Sequence, residues 1–404
     1  MKYFLDNIYK VESTSQGKGI IGVNENIISY KMDKDTKVFE LGSDYFLYPG
    51  FVNSHDHMLG TYFPRVGKGP YINWLPWDND LKDAMIYKER GTFTNYELYF
   101  LSSIRNIISG VTWVSDHIPH SVNEKFIGHL PINIIKDYTL AHEVSSYDLK
   151  WGDPATEHEK AKKNKIPFIT HIEEGFDQES EKGVEYLKEF NALDEYTVMV
   201  HGIALSDKDI EDIAKSKAHL VWCPTSNWFM FEKTADIKKW LSNNINVCLG
   251  TDSPMSGGMN LLEEINFASY IYNKLYDQKL DPRIVFNMIT VNPAKAFRIP
   301  AGNLKEGTPA NFVITKKVKN DPYENILCLK LSDISLVVIN GKPVYGDIRF
   351  KNIIEYLKIQ YMELKIECEN KFLAIRGALK ILKDLKTKIE YFKYLPFIPI
   401  NFKK

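Results

Sequence analysis

Cysteine is scarce in this chain: four in 404 residues. Cys223, Cys248, Cys328 and Cys368 stand far apart, with no Cys-x-x-Cys among them. That spacing excludes a disulfide framework and a cysteine zinc site, and it reads as four buried thiols in a reducing compartment. Long apolar runs are missing too. No stretch approaches the roughly 20 residues that cross a bilayer, and the opening "MKYFLDNIYKVEST" has neither the basic segment nor the apolar run of a secretory signal. Nor does one sign of charge prevail, since 51 Lys and Arg face 52 Asp and Glu for a net charge of -1. Such a balance gives no general attraction to nucleic acid or to an anionic membrane. The expectation is a cytoplasmic protein.

With 44% hydrophobic and 25% charged residues, the composition is that of an ordinary globular protein. Its length exceeds one core and predicts a large domain with a smaller one. Residues 1–48 read as short strands separated by turns, and "SLVVINGKPVYG" (335–346) sets Asn340-Gly341 between two apolar runs, a hairpin signal. Together, 1–48 and 303–350 predict a small discontinuous β-sandwich domain into which the rest is inserted. Residues 49–302 alternate apolar strands with helical stretches, the pattern of an α/β fold with parallel strands. Seven strands are clear, at 48–54, 111–116, 132–138, 167–172, 196–201, 219–223 and 245–252. A TIM-like (β/α)8 barrel needs an eighth. The stretch from Tyr138 to Pro167 has room for one helix, "PATEHEKAKKNK", and for an irregular strand near "TLAHEVS": either one strand is disguised there or one β/α unit is abbreviated. Residues 351–404 mix apolar positions with Lys and Glu at helical spacing and predict a helical C-terminal extension, packed on the barrel or on another subunit. Glutamates among its lysines argue against a membrane-binding face.

The strand ends repeatedly deliver polar residues. His55 and His57 follow the first strand, His171 lies in "THIEEG", His201 ends "YTVMVH", and Asp252 ends "INVCLGTD". In a β/α barrel the carboxyl ends of the strands open onto one face, so these distant residues converge. His55, His57, His171 and Asp252 would give a divalent metal three nitrogens and an oxygen with a position left for water. Water bound there becomes acidic enough to react near neutral pH. Glu174 would then carry a proton to the substrate, and His201 would orient the nucleophile or polarise the group attacked. A lone histidine at a strand end is more often hydrogen-bonded filler, and Asp252 also suits a helix cap. The joint pattern gives the metal reading its weight.

These blocks resemble the amidohydrolase superfamily, in the branch of cytosine, guanine and S-adenosylhomocysteine deaminases and triazine chlorohydrolases. The resemblance runs from about residue 1 to 348. "PGFVNSHDH" is similar to the family's first-strand motif, "NWL" (73–75) to the loop after it and "SGVTWVSD" (109–116) to its second strand. "HGIALSDKDIEDIAKSKAHLVWCPTSN" (201–227) and "GTDSPMSGGMNLLEEI" (250–265) are its most specific blocks. The resemblance implies that His55 and His57 are the paired first-strand ligands, His171 the fifth-strand ligand and Asp252 the eighth-strand carboxylate, which also accepts the proton of water. It implies that Glu174 is the His-x-x-Glu proton shuttle and that His201 lies beside the substrate. A mononuclear centre follows, usually zinc and sometimes iron, and homodimers are expected from the family alone.

The implied activity is hydrolytic deamination of an aminated heterocycle, a purine, pyrimidine or related base, with release of ammonia. The alternatives are hydrolysis of another C–N or a C–Cl bond by the same centre, and a scaffold that kept the barrel without the chemistry. The unrelated cytidine-deaminase fold needs His-x-Glu and Pro-Cys-x-x-Cys, which "WCPTSN" does not supply. The interval from the second strand to His171 is short for the family, and this interval ordinarily supplies substrate contacts. His117 directly follows the second strand and is a candidate to line the pocket, as is His142. Trp74, with Trp77 and Trp228, sits in a loop where it could stack on a planar substrate. Ser226 and Asn227 read as shaping the supporting loop, and Glu173 competes with Glu174. His120, His129, His158 and His219 read as surface or packing residues, and Lys136 as structural.

Overall fold

The computed structural model describes residues 2–34, 36–388 and 400–402. Eight short parallel strands form the barrel layer: β1 (Phe51–Asp56), β2 (Val111–Asp116), β3 (Asn133–Ile134), β4 (Thr139–Glu143), β5 (Phe168–Ile172), β6 (Thr197–His201), β7 (His219–Trp222) and β8 (Asn246–Leu249). The first three pair in one ladder and the last five in another. Past β8 the Asp252 N–H donates to the His55 carbonyl (3.0 Å), which brings the last strand back to the first. Alternate residues of these strands fill the interior, among them Ile169, Val198, Val200, Val221 and Cys248.

The abbreviated unit has a clear form. Only residues 135–138 separate β3 from β4, without a helix between them. Parallel neighbours need a crossover of a dozen residues or so, and β3 and β4 are not neighbours. Instead β3 pairs with β2 and β4 with β5. They are the two halves of one bent stave. Tyr138 fixes the bend, its hydroxyl donating to the Ile118 carbonyl (2.6 Å) and accepting from Asn123 Nδ2 (3.1 Å). The strand expected near "TLAHEVS" is β4.

Both ends of the chain build one mixed sheet, with strands Lys2–Val11, Gln16–Asn24, Tyr45–Pro49, Phe312–Lys316, Ile334–Ile339 and Lys342–Asp347. This sheet is the small added domain, its strands joined in one continuous hydrogen-bonded path. Period-2 alternation divides its faces. Leu47, Ile314, Leu336 and Val338 form a core of the sheet's own, whereas Phe46, Tyr48, Val313 and Val337 join the barrel core. Asn340 and Gly341 turn the hairpin with φ 48° and 76°, as a two-residue type I′ turn requires.

Residues 351–404 depart from the all-helical expectation. Helices run over Lys351–Tyr356 and Ala378–Lys388, but Met362–Ile366 and Glu369–Leu373 form an antiparallel hairpin on the edge of the sheet. Met362, Leu364 and Ile366 alternate with Glu363 and Lys365, and the available sheet edge selects that period over the helical one. The remainder of that expectation, 389–399 and 403–404, lies outside the described residues. Two of the thiols also differ from expectation: Cys223 and Cys248 are buried, while Cys328 and Cys368 are exposed, all four unpaired. No helix among the described residues is long and apolar enough to cross a membrane.

Candidate active site

Strand alternation explains part of the site and breaks in the chain explain the rest. His171 shares the inward face of β5 with Ile169, while Phe168 and Ile172 face outward. In an unbroken strand residues 171 and 174 would point to opposite faces. Glu173 interrupts it at φ 46°, and its carboxylate turns away to accept the Val184 N–H (3.1 Å). Glu174 is thereby returned to the centre, with Oε1 3.5 Å from His201 Nε2. His201 itself follows inward-facing Val200 and would face outward but for its φ of 75°. Asp252 is likewise left-handed, at φ 54°. Such conformations cost on the order of 1 kcal/mol or more and persist where the surroundings enforce them.

His55, His57 and His171 bring ring nitrogens to within 4.8 Å of one another. His171 Nδ1 lies 2.9 Å from the His142 carbonyl oxygen, so this nitrogen carries the proton and Nε2 turns a lone pair inward. That lone pair meets His55 Nε2 at 3.3 Å. Asp252 Oδ1 lies 3.7 Å from His57 Nε2 and 3.9 Å from His55 Nε2. Burial, reinforced by neighbouring imidazoles, holds His55 and His171 well below the usual histidine range and therefore neutral. Converging lone pairs and a carboxylate repel one another unless a cation lies between them. Three imidazoles and one carboxylate are the donor set a tetrahedral zinc-type ion takes, and the carbonyl behind His171 is the kind of outer partner that orients a ligand.

The supporting groups come from the segments that follow β7 and β8. Ser226 Oγ and Ser256 Oγ each donate to Asp252 Oδ2 (2.8 Å), and the Ser253 N–H donates to Oδ1 (2.7 Å). Burial alone would raise the Asp252 carboxyl, but His57, His201 and these two hydroxyls outweigh it and hold the group below its usual value. Asn227 Nδ2 donates to His201 Nδ1 (2.9 Å), while Thr234 Oγ1 holds the amide oxygen of Asn227 (3.4 Å). His201 therefore presents Nε2–H to the centre. Burial lowers its pKa to about 4, leaving it neutral. Burial, with Asp252 and Glu143 nearby, raises the Glu174 carboxyl well above its ordinary value. Glu174 thus holds its proton more tightly than an exposed glutamate does. Ser256 carried no signal of its own in the sequence beyond lying four residues after Asp252.

The loop after β1 roofs this centre. The Val66 N–H donates to the Met255 carbonyl (3.0 Å), that of Tyr71 to Met230 (2.8 Å) and that of Trp74 to Glu174 (3.2 Å). Trp74 is buried, its Nε1–H donating to Glu143 Oε2 (2.6 Å) and its ring 4.7 Å from that of His142. His117 is also buried, its ring 4.4 Å from His171, with Nε2 3.1 Å from the Ala141 carbonyl oxygen. His142 packs between Trp74 and Trp151 and touches His171. Glu143 stands out in the sequence as an unusual polar residue beside His142 in "LAHEVSS", whereas nothing there singles out Trp151. Trp77 joins the roof through Val66 (3.0 Å), whereas Trp228 lies under Lys274 on the outer helix Leu261–Tyr276. His129 and Lys136 are exposed, His158 pairs with Asp194 (2.9 Å), His120 bonds the Tyr138 carbonyl (2.8 Å), and buried His219 opens β7 at the far end of the barrel.

Comparison with known proteins agrees with this construction. The amidohydrolase family profile matches residues 150–344. A 5'-deoxyadenosine deaminase of Methanococcus maripaludis strain C6 is 27% identical over 389 residues, 82% of this chain and 90% of that protein. A 5-methylthioadenosine/S-adenosylhomocysteine deaminase of Pyrococcus abyssi is 29% identical over 333 residues, 78% of this chain and 72% of that protein. Among solved structures, a zinc-bound adenosine deaminase from Xanthomonas campestris superposes with a TM-score of 0.72 at 14% identity, covering 98% of this chain and 99% of its own. A triazine hydrolase variant gives 0.71 at 15% identity over 85% and 94%. At such identities the structural likeness is one of fold, that of a TIM-type barrel with an added sheet. Profile, relatives and fold agree, and the chain is similar to the amidohydrolase family over most of its length.

Proposed function

We propose that this protein is a metal-dependent deaminase of 6-aminopurine nucleosides, replacing the ring amino group with oxygen and releasing ammonia. The observation that carries the reading is the pairing of Glu174 with His201 beside the His55, His57, His171 and Asp252 donor set. The relatives named for 5'-deoxyadenosine and for 5-methylthioadenosine or S-adenosylhomocysteine support the nucleoside class. Those four residues would hold one divalent ion, zinc for preference, which supplies a water acidified enough to attack near neutral pH.

The chain's own groups do the remainder. Glu174, protonated before reaction, gives its proton to the ring nitrogen next to the carbon under attack, so that charge does not build up on the purine. Asp252, ionised and held by three donors, takes the proton that water loses. His201, neutral with Nε2–H inward, donates a hydrogen bond to the oxygen being added. Asp252 then passes the proton it took to the amino group, the C–N bond breaks to release ammonia, and the proton left on the added oxygen returns to Glu174. The roof formed by residues 58–77 keeps bulk water from the centre, and Trp74, His117 and His201 line the space for the base. The barrel of 49–302 is the catalytic unit of this reading, closed at its base by the sheet of 1–48 and 303–350, in a cytoplasmic homodimer.

Ammonia release from 5'-deoxyadenosine, 5-methylthioadenosine, adenosine, guanine and cytosine tests the proposal, with chloride release from a chlorotriazine alongside. Turnover of the adenosine analogues ahead of the free bases is expected. Chloride release without ammonia would overturn deamination, and inactivity of the metal-loaded protein on every substrate would overturn the enzyme reading.

A further inference from the structure

The bent stave leaves a mark at the end of the barrel opposite the histidines. In a regular unit a crossover helix covers the outside of each stave, and between β3 and β4 that helix is missing. A cavity of about 1140 Å3 opens there, walled by Phe100, Ile132, Ile135, Ile166, Ile339 and Ile375. Ile132 and Ile166 precede β3 and β5, so the cavity lies at the strand starts, remote from the catalytic mouth. Trp113 of β2 also lines it, and its indole N–H is buried without an acceptor. Buried donors are ordinarily satisfied, so among the described residues the lining is incomplete.

The charge at the rim is one-sided. Lys136, Lys165, Arg298, Lys342 and Arg376 face the single carboxylate of Asp137, in a chain whose 51 basic and 52 acidic residues otherwise balance. Arg298 is engaged by the Glu195 carbonyl and the Tyr196 ring. The other four cations have no ion pair among the described residues. A mostly apolar cleft with a few polar groups, slightly larger than the roughly 300–1,000 Å3 usual for small-molecule sites, favours a ligand with an apolar body and an anionic head.

We propose that this cavity is a second binding site, for a free long-chain carboxylate whose tail lies along the outer face of β3 and whose head sits among Lys136, Lys165, Lys342 and Arg376. The stave that walls the site ends eight residues beyond Ile135 at Glu143, beside the catalytic centre, yet binding does not depend on the deaminase reading.

Titrating the full-length, metal-loaded protein with sodium laurate below its micelle-forming concentration tests this, by calorimetry and by the fluorescence difference between wild type and Trp113→Phe. Saturable binding of one laurate is expected, with dodecyltrimethylammonium at least tenfold weaker. The exposed double variant Lys136→Glu/Lys165→Glu should weaken laurate at least tenfold, and Ile375→Glu should abolish it, both with folding by circular dichroism and catalytic turnover unchanged. Equal binding of the two detergents, non-saturable binding, or indifference to both variants would overturn the proposal. So would binding of an acidic Leu/Glu helical peptide at this rim without binding of laurate, which would make the cavity a protein-docking groove.

Discussion

Glu174 reaches the centre only because Glu173 takes a left-handed turn and buries its own carboxylate against Val184. The His-x-x-Glu spacing is legible in the sequence, but this break is not, since nothing in "THIEEG" distinguishes one glutamate's backbone from the other's. The same holds for Asn227, whose hydrogen bond fixes the ring of His201 from a different turn. Glu174→Gln keeps shape and removes the transferable proton. Its kcat should fall by about 10^2 to 10^4 with KM and bound metal unchanged, as steady-state kinetics with metal analysis will show. Asp56, between the two first-strand histidines, is fully buried and paired with Arg105, and it accepts from Asn106 Nδ2 (2.9 Å). Arg105→Met would leave that carboxylate buried without its cation, at a cost of about 3–5 kcal/mol. Urea unfolding should show this loss, together with weaker retention of metal.

At the scale of elements, strands with uninterrupted apolar runs were readable and those defined by their neighbours were not. β3 and β4 share one run of sequence, and only the separate partners of its two halves make them distinct. The hairpin 362–373 hides among Lys and Glu residues compatible with either period, and the sheet edge decides between them. Helix Leu261–Tyr276 is tied to the turn after β7 by Glu264, whose Oε1 accepts the Thr225 N–H (2.9 Å). Burial lifts the Glu264 carboxyl from its ordinary 4.5 to about 8. The folded protein thus keeps a proton that the unfolded chain releases, and by linkage this contribution to stability is full below pH 4.5 and lost as pH rises through 8. Glu264→Gln, always neutral, should melt with wild type near pH 4.5 but higher at pH 9 by at least roughly 2 °C. Thermal denaturation at the two pH values gives the comparison.

For the whole molecule, the Asn340-Gly341 turn and the strand-rich first 48 residues revealed a small sheet made from distant ends. They did not reveal how the terminal hairpin joins it. Lys371, fully buried, donates to Asp347 and to the carbonyls of Ser332 (2.8 Å) and Ile334 (2.7 Å), locking that hairpin to the sheet. A lysine in a Lys/Glu-rich stretch reads as solvated, and its burial depends on contacts across the chain. Lys371→Met should cost about 3–5 kcal/mol by stranding Asp347, and adding Asp347→Leu should recover most of it in denaturant unfolding. Catalytic turnover per folded molecule should stay unchanged, because the pair lies in the added sheet.

The central claim is that His55, His57, His171 and Asp252 hold one catalytic metal for deamination. Its most direct test is ammonia release from 5'-deoxyadenosine while chelator-stripped protein is titrated with zinc. The account predicts no release from stripped protein and a linear rise that breaks at one equivalent, with no rise for His171→Asn. Release that survives stripping, or that never appears at any zinc ratio, would contradict it.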